Sequence, residues 1–198
     1  LWNDLKIKFN LAVSTGQELI TTASDYLSYA LELATTKVVA IFLEAVRDPE
    51  GFKHALEKAR KKEIPVVVLK AGRTEASAKL AVSHSGAIAG DDAAYRALFK
   101  RYGVIQVKCI DELAATCQLL SMEKTIPSGQ LAAIMDSGGE REVLMDLAEE
   151  MGVQFAEIEP ETIQILGDNL DAGLEPINPL DAWGTGNEYE KIYENCLQ

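Results

Sequence analysis

The chain has 198 residues, 47% hydrophobic and 25% charged, which is enough to bury a globular core without disulfide or metal staples. A net charge of −12 argues against nucleic acid and against an anionic membrane surface, since both need clustered Lys and Arg. A small anionic ligand stays allowed, because helix N-termini bind anions without net positive charge. The longest apolar run, residues 38–43, is too short to span a bilayer, and no signal-peptide pattern is visible. Cys109, Cys117 and Cys196 form no C-x-x-C pair, so we read them as free thiols in a reducing cytoplasm and assign no metal site.

In chain order, Leu11-Ala12-Val13 reads as a short strand broken at Ser14-Thr15-Gly16. Tyr26, Leu27, Ala30, Leu31 and Leu33 then follow helical spacing. Residues 38–43 read as a strand that is apolar on both faces, as in a parallel sheet, and that stops at Glu44. Asp48-Pro49-Glu50 opens a helix with the stripe Phe52, Leu56 and Ala59 and a solvated basic end, residues 58–62. Residues 65–69 are a second buried strand ending at Lys70. A polar, small-residue stretch runs from 71 to 90. Asp91-Asp92 opens a helix that Gly103 stops, residues 104–107 form a strand, and Asp111 caps a helix to about Met122.

Ile126-Pro127-Ser128-Gly129 marks a boundary, after which the pattern restarts. Strands are expected at 131–135 and 153–158, with helices at 142–151 and from Pro160 to about Leu170. The tail carries Asn178-Pro179-Leu180-Asp181 and a Gly-rich turn at Gly184-Thr185-Gly186. Alternating strands and helices predict an α/β fold, with parallel sheets covered by helices on both faces and two flavodoxin-like units. The units are expected at 1–124 and 128–198. The first chain residue is Leu, and the second unit holds only two clear strands, so both ends are expected to be cut.

In open parallel sheets, ligands bind beyond the carboxyl ends of the strands. Ser14-Thr15-Gly16, Glu44, Lys70-Ala71-Gly72 and Ser137-Gly138-Gly139 all fall at such ends. Each has a plainer reading. Glu44 and Lys70 are ordinary strand-end residues, the two turns are ordinary helix entries, Asp181 is an Asx-turn residue, and His54 is a surface residue. His84 differs, because Ser83, Ser85, Gly86 and further small residues surround it and offer no apolar core. A catalytic histidine needs one ring nitrogen free and the other held, and Glu44 is a candidate to hold it. Glycine-rich turns and helix starts would supply N–H donors to a phosphoryl group on the free nitrogen.

These residues carry a resemblance. Pro65-Val66-Val67-Val68-Leu69-Lys70-Ala71-Gly72-Arg73, Ala81-Val82-Ser83-His84-Ser85-Gly86-Ala87-Ile88-Ala89-Gly90-Asp91, Tyr95, Gly103-Val104 and Glu112-Leu113 resemble the ligase domain of ADP-forming acetyl-CoA synthetases. The succinyl-CoA synthetase alpha subunit is similar at greater distance. Upstream, Val13-Ser14-Thr15-Gly16-Gln17-Glu18, Asp25-Tyr26-Leu27 and Ile41-Phe42-Leu43-Glu44 fit as well. Ser137-Gly138-Gly139 and Asn178-Pro179-Leu180-Asp181 resemble the family's next domain. The family's other phosphate-facing turn would lie before Leu1, and the first unit is expected to lack its N-terminal strand.

The resemblance implies a nucleoside-diphosphate-forming acyl-CoA synthetase. In it, acyl-CoA and phosphate give an acyl phosphate and CoA, the acyl phosphate phosphorylates a histidine, and the phosphohistidine converts ADP to ATP. His84 matches that histidine and Glu44 its supporting carboxylate, while Ser83, Ser85, Gly86, Ser137, Gly138 and Gly139 match the phosphate contacts. The parent protein would use CoA, ADP or ATP, phosphate and Mg2+ in CoA-binding and ATP-grasp domains, on the same chain or a second subunit. This stretch alone is expected to hold no cofactor tightly and to complete no turnover, with homo-oligomerisation left open. Glu140-Arg141-Glu142 departs from the family's small or apolar residues, and a carboxylate at a helix start opposes phosphate unless Arg141 offsets it. Two alternatives are a non-catalytic acyl-CoA-sensing module of a protein acetyltransferase and a flavodoxin-like small-molecule binder.

Overall fold

Two runs rich in β-branched residues and spaced by one helix supply the central strand pair. In the computed structural model, which describes residues 7–74, 76–77, 91–122, 129–184 and 188–197, β1 is Val39–Leu43 and β2 is Val66–Lys70. They pair in parallel from Val39 against Val66 to Leu43 against Lys70. A third strand, β3 (Ile105–Val107), pairs parallel with the other edge of β2, so the sheet order is β1-β2-β3. The chain divides into two units, Leu1–Thr125 and Ile126–Gln198, and this sheet belongs to the first.

Period-2 alternation sends the side chains of β2 to opposite faces. Val66 and Val68 join Leu27, Leu31, Phe52, Leu56 and Phe99 in one core, under α1 (Ala23–Ala30), α2 (Pro49–Lys61) and α3 (Asp92–Tyr102). Val67 and Leu69 meet Leu113 and Cys117 of α4 (Ile110–Leu120) on the other face. Helices therefore cover both faces, as the alternation predicts.

Local signals explain most helix ends. The Asp48 carboxylate accepts the Gly51 N–H (3.0 Å) at the start of α2, with Pro49 as its first residue. Asp91 caps α3 through the Ala93 N–H (2.9 Å), and Gly103 ends it in the left-handed region (φ 68°). The basic end of α2 is not simply solvated. Lys58 and Lys62 donate to the Ser28 and Leu31 carbonyls (2.8 Å each) near the end of α1, and both pair with Glu32. Hydrogen bonds from the two ammonium groups hold the Glu32 carboxyl down at about 2.

Three expectations for this unit are corrected. Leu11-Ala12-Val13 is not a strand: no described strand pairs with it, and Ala12 and Val13 are exposed. Asn10 instead ties the segment to the Thr35 and Thr36 hydroxyls (3.0 and 2.8 Å). β1 is not buried on both faces, since Phe42 is 59% exposed. β1 ends the described sheet, and a terminal strand has a neighbour on one side only. Cys109, not Asp111, occupies the cap position of α4, while Glu112 reaches back to accept the Lys108 N–H (2.6 Å).

The second unit has less regular structure. β4 (Ile134–Met135) and β5 (Leu180–Asp181) pair in parallel, and Leu131 makes an isolated parallel bridge to Phe155. The strands expected at 131–135 and 153–158 thus shrink to short contacts. The helices are α5 (Gly138–Met151), α6 (Pro160–Asn169) and α7 (Tyr189–Leu197). α5 starts at Gly138 rather than Glu142, because Ser137 already caps it. α7 was not foreseen. Its anchor is Ile192, the one buried apolar side chain described on that helix.

Among the described residues, the buried apolar set of this unit is small: Ala148, Leu166, Pro179, Leu180, Ala182 and Ile192. A polar clamp supplements it. The Asn178 amide donates to the Leu131 and Ala156 carbonyls (2.8 and 2.9 Å), and its oxygen accepts the Ala133 N–H (3.1 Å). One side chain thereby ties three segments together, just before the cis Asn178–Pro179 peptide. Asn178→Ala is expected to destabilise the second unit by about 2–4 kcal/mol, three hydrogen bonds at typical net values. Urea unfolding followed by Trp183 fluorescence measures it, and a midpoint unchanged from wild type would contradict the clamp.

Candidate functional site

Parallel pairing brings the carboxyl ends of β1, β2 and β3 to one edge of the sheet. β1 runs into Glu44, which is half-buried there. β2 runs into Lys70, which is only 3% exposed and continues the face of Val66 and Val68. Its ammonium donates to the Glu44 carbonyl (2.7 Å) and to the Ala71 carbonyl, and sits 4.7 Å above the Tyr95 ring. The Tyr95 hydroxyl accepts the Val46 N–H (3.0 Å) in the same loop as Glu44. Ala71 donates to the Leu43 carbonyl (2.9 Å), extending the β1–β2 ladder into the site.

Helix α3 begins at this edge. Asp92 Oδ2 pairs with Arg96 (3.1 Å), while Asp92 Oδ1 is buried with no hydrogen-bond partner. Burial pushes the Lys70 ammonium below the usual lysine range, while the Asp92 and Glu44 carboxylates pull it back up. The edge is thus a small electrostatic assembly of one buried cation, two carboxylates and an aromatic ring.

His84, Ser83, Ser85 and Gly86 lie outside the described residues. On the N-terminal side of that stretch, the chain leaves β2 through Gly72, whose φ of 70° lies in the left-handed region that favours glycine. On the C-terminal side it resumes at Asp91, the cap of α3. Of the expected catalytic pair, Glu44 is therefore found among Lys70, Tyr95 and Asp92. The sequence pattern places Tyr95 on this helix but assigns it no role at the edge. Its hydroxyl and ring contacts, and the place of Asp92 beside Lys70, depend on how α3 crosses the sheet, which no local pattern encodes. Ser14-Thr15-Gly16 forms a turn, with Gly16 at φ 61° and the Thr15 hydroxyl donating to Glu18 (2.9 Å).

In the second unit, Ser137-Gly138-Gly139 follows β4 and opens α5. The Ser137 hydroxyl accepts the Glu140 N–H (3.3 Å), and both glycines are exposed. A Cβ on Gly138 would stand 3.3 Å from Asp181 Oδ2, so glycine here lets that carboxylate approach the helix start. Asp181 Oδ1 accepts the Trp183 N–H (3.0 Å), the Asx-turn expected after Pro179. Tyr193 senses the local charge: burial first, then Asp136, Asp181 and Glu140, push its phenol up. The donors thus suit an anion, while the surrounding field is acidic. An open groove of about 440 Å³ runs from this turn past Val143, Leu144 and Leu147. Among the described residues, no three His, Cys, Asp or Glu side chains gather as metal ligands, and no helix is long and apolar enough to cross a membrane.

A parallel sheet with helices on both faces and its polar groups gathered at the strands' carboxyl edge defines a flavodoxin-like α/β protein. Residues 2–120 match the succinyl-CoA ligase like flavodoxin domain, and the chain belongs to that family. It is 34% identical over 180 residues to an ADP-forming acetate–CoA ligase of Methanocaldococcus jannaschii, covering 91% of this chain and 25% of that protein. It is 30% identical to the alpha subunit of ADP-forming acetate–CoA ligase II of Pyrococcus furiosus, covering 97% of this chain and 42% of the subunit. The fold superimposes on a dinucleotide-forming acetyl-coenzyme A synthetase of Ca. Korarchaeum cryptofilum solved with phosphate and ADP. The TM-score there is 0.75 at 28% identity, over 87% of this chain and 37% of that one. The chain therefore spans between a quarter and under half of these relatives.

Replacing Asp181 by Asn removes a negative charge beside the start of α5. It is expected to tighten inorganic phosphate binding there about two- to fivefold, the usual scale of a charge at a helix terminus. Phosphate titration followed by the Gly138 and Gly139 amide signals measures this. Equal affinities in the two proteins would mean that Asp181 does not shape an anion site.

Proposed function

We propose that this chain is the phosphoryl-carrying segment of a nucleoside-diphosphate-forming acyl-CoA synthetase, with His84 as the phosphorylated residue. The overall reaction interconverts acyl-CoA, ADP and phosphate with the free acid, CoA and ATP. One imidazole nitrogen of His84 attacks the phosphorus of an acyl phosphate, the bond to the acyl oxygen breaks, and the carboxylate leaves. In the second half-reaction the phosphoryl group passes from His84 to the terminal oxygen of ADP. A covalent carrier suits two reactive sites that are far apart, because the same residue is nucleophile and transporter. Glu44 orients the imidazole and offsets its positive charge. Ser83, Ser85 and Gly86 hold phosphoryl oxygens beside His84, and Ser137, Gly138 and Gly139 offer backbone N–H donors where the group is received.

One observation carries the proposal: Glu44 and the described residues flanking the His84 stretch, Gly72 before it and Asp91 after it, belong to the same carboxyl edge of the sheet. The family membership and the ADP-forming ligases among the relatives support the reaction class. On this reading residues 1–124 are the ligase domain bearing the histidine and 128–198 belong to the next one. The CoA-binding and ATP-grasp parts, with CoA, nucleotide and Mg2+, lie elsewhere in the parent chain or on a second subunit. The short share of each relative that this chain covers, and the separate alpha subunit among them, support that arrangement. The free thiols Cys109, Cys117 and Cys196 agree with a cytoplasmic setting.

The parent protein, incubated with γ-labelled ATP, should acquire an acid-labile, base-stable phosphoryl label that His84→Ala abolishes. A label that survives in His84→Ala would contradict the assignment. A parent with no ATP-grasp domain and no label would favour a regulatory acyl-CoA-binding module.

A further inference from the structure

Lys70 has more partners than a strand-end lysine needs. It is 3% exposed, although lysine is seldom fully buried without compensating partners. Its ammonium binds the carbonyl of Glu44, the carbonyl of Ala71 and the face of Tyr95. These belong to three separate pieces of the edge: the loop after β1, the loop after β2, and α3. Tyr95 closes the circuit by accepting the Val46 N–H (3.0 Å), two residues beyond Glu44. Burial disfavours the ammonium form, so the site holds a cation against its own desolvation, helped by the charges of Asp92 and Glu44. An apolar residue of similar length would fill the space at lower cost, but it would release the Glu44 carbonyl, leaving the Ala71–Leu43 bond as the tie between the ends of β1 and β2.

We infer that Lys70 is a positioning residue for the phosphoryl transfer: by fixing the backbone of Glu44 to the end of β2 and to Tyr95 of α3, it sets where the Glu44 carboxylate stands. The inference rests on the proposed role of Glu44. Lys70 touches no substrate in this account and acts through Glu44. Tyr95 serves as its platform and as a second tether on the same loop. Removing the ammonium lets the loop of residues 44–46 drift, and displacement by about 1 Å is enough to slow a positioned reaction up to about a hundredfold.

The test is a double-mutant cycle on the parent protein, reading the single-turnover rate of phosphoenzyme formation from ATP together with the KM for ATP. Lys70→Met should slow phosphoenzyme formation roughly ten- to hundredfold with KM for ATP unchanged. The double variant Lys70→Met/Glu44→Gln should be no slower than Glu44→Gln alone, because both changes remove the same contribution. Full additivity, or a wild-type rate in Lys70→Met, would overturn the inference. If Lys70→Met does not fold, Lys70→Gln carries the same cycle with the same two deciding results. Failure of the wild-type protein to form phosphoenzyme would instead overturn the functional proposal, so the two failures are distinct.

Discussion

The parallel pairing of β1 with β2 is the constraint on which the first unit depends. Its five-residue register runs from Val39 against Val66 to Leu43 against Lys70, and β2 is buried along its whole length. Because the strands are parallel, both release their chains at the same edge. That edge receives Glu44 from β1 and Lys70 from β2 one residue apart in register, and α3 starts beside them. The crossing of α3 then brings the Tyr95 ring over the Lys70 ammonium, so pairing and helix placement together assemble the edge. The two cores above and below the sheet stabilise this arrangement, and one of them seats α3 through Phe99.

The two units treat charge at their strand ends in opposite ways. In the first, a buried ammonium is neutralised by carbonyls, a π face and nearby carboxylates, so the edge is ordered by a cation. In the second, the start of α5 is surrounded by Asp136, Glu140 and Asp181, so its N–H donors face an acidic field. An anion at that helix start would be attracted by the N–H donors and repelled by these carboxylates. The small apolar core among this unit's described residues is supplemented by Asn178, whose hydrogen bonds join three segments.

Much of this was legible in the sequence for identifiable reasons. Asp48-Pro49, Asp91-Asp92 and Gly103 are strong local punctuation, and each ends or starts its helix as read. Residues 66–69 are apolar on both faces, and helices do cover both. Residues 39–43 look the same in sequence, yet their outer side chains are exposed. Burial depends on neighbours in the sheet, which a strand's own sequence does not report. Leu11-Ala12-Val13 fails as a strand for the same reason. Glu44 and Lys70 were placed at the correct edge by the strand-end rule. Their linkage through the Glu44 carbonyl and Tyr95 was not visible, because it joins residues 25 apart or more by tertiary contact. The short strands of the second unit were overestimated because apolar content was taken for pairing.

The central claim is that Glu44 supports His84 at this edge, and the most direct measurement is the imidazole titration of His84 in the parent protein by 15N NMR. Its signals are identified by their loss in His84→Ala. A nearby carboxylate favours the imidazolium, so the account predicts that Glu44→Gln lowers the His84 pKa by about one unit or more. A His84 titration that is the same in wild type and Glu44→Gln would contradict it.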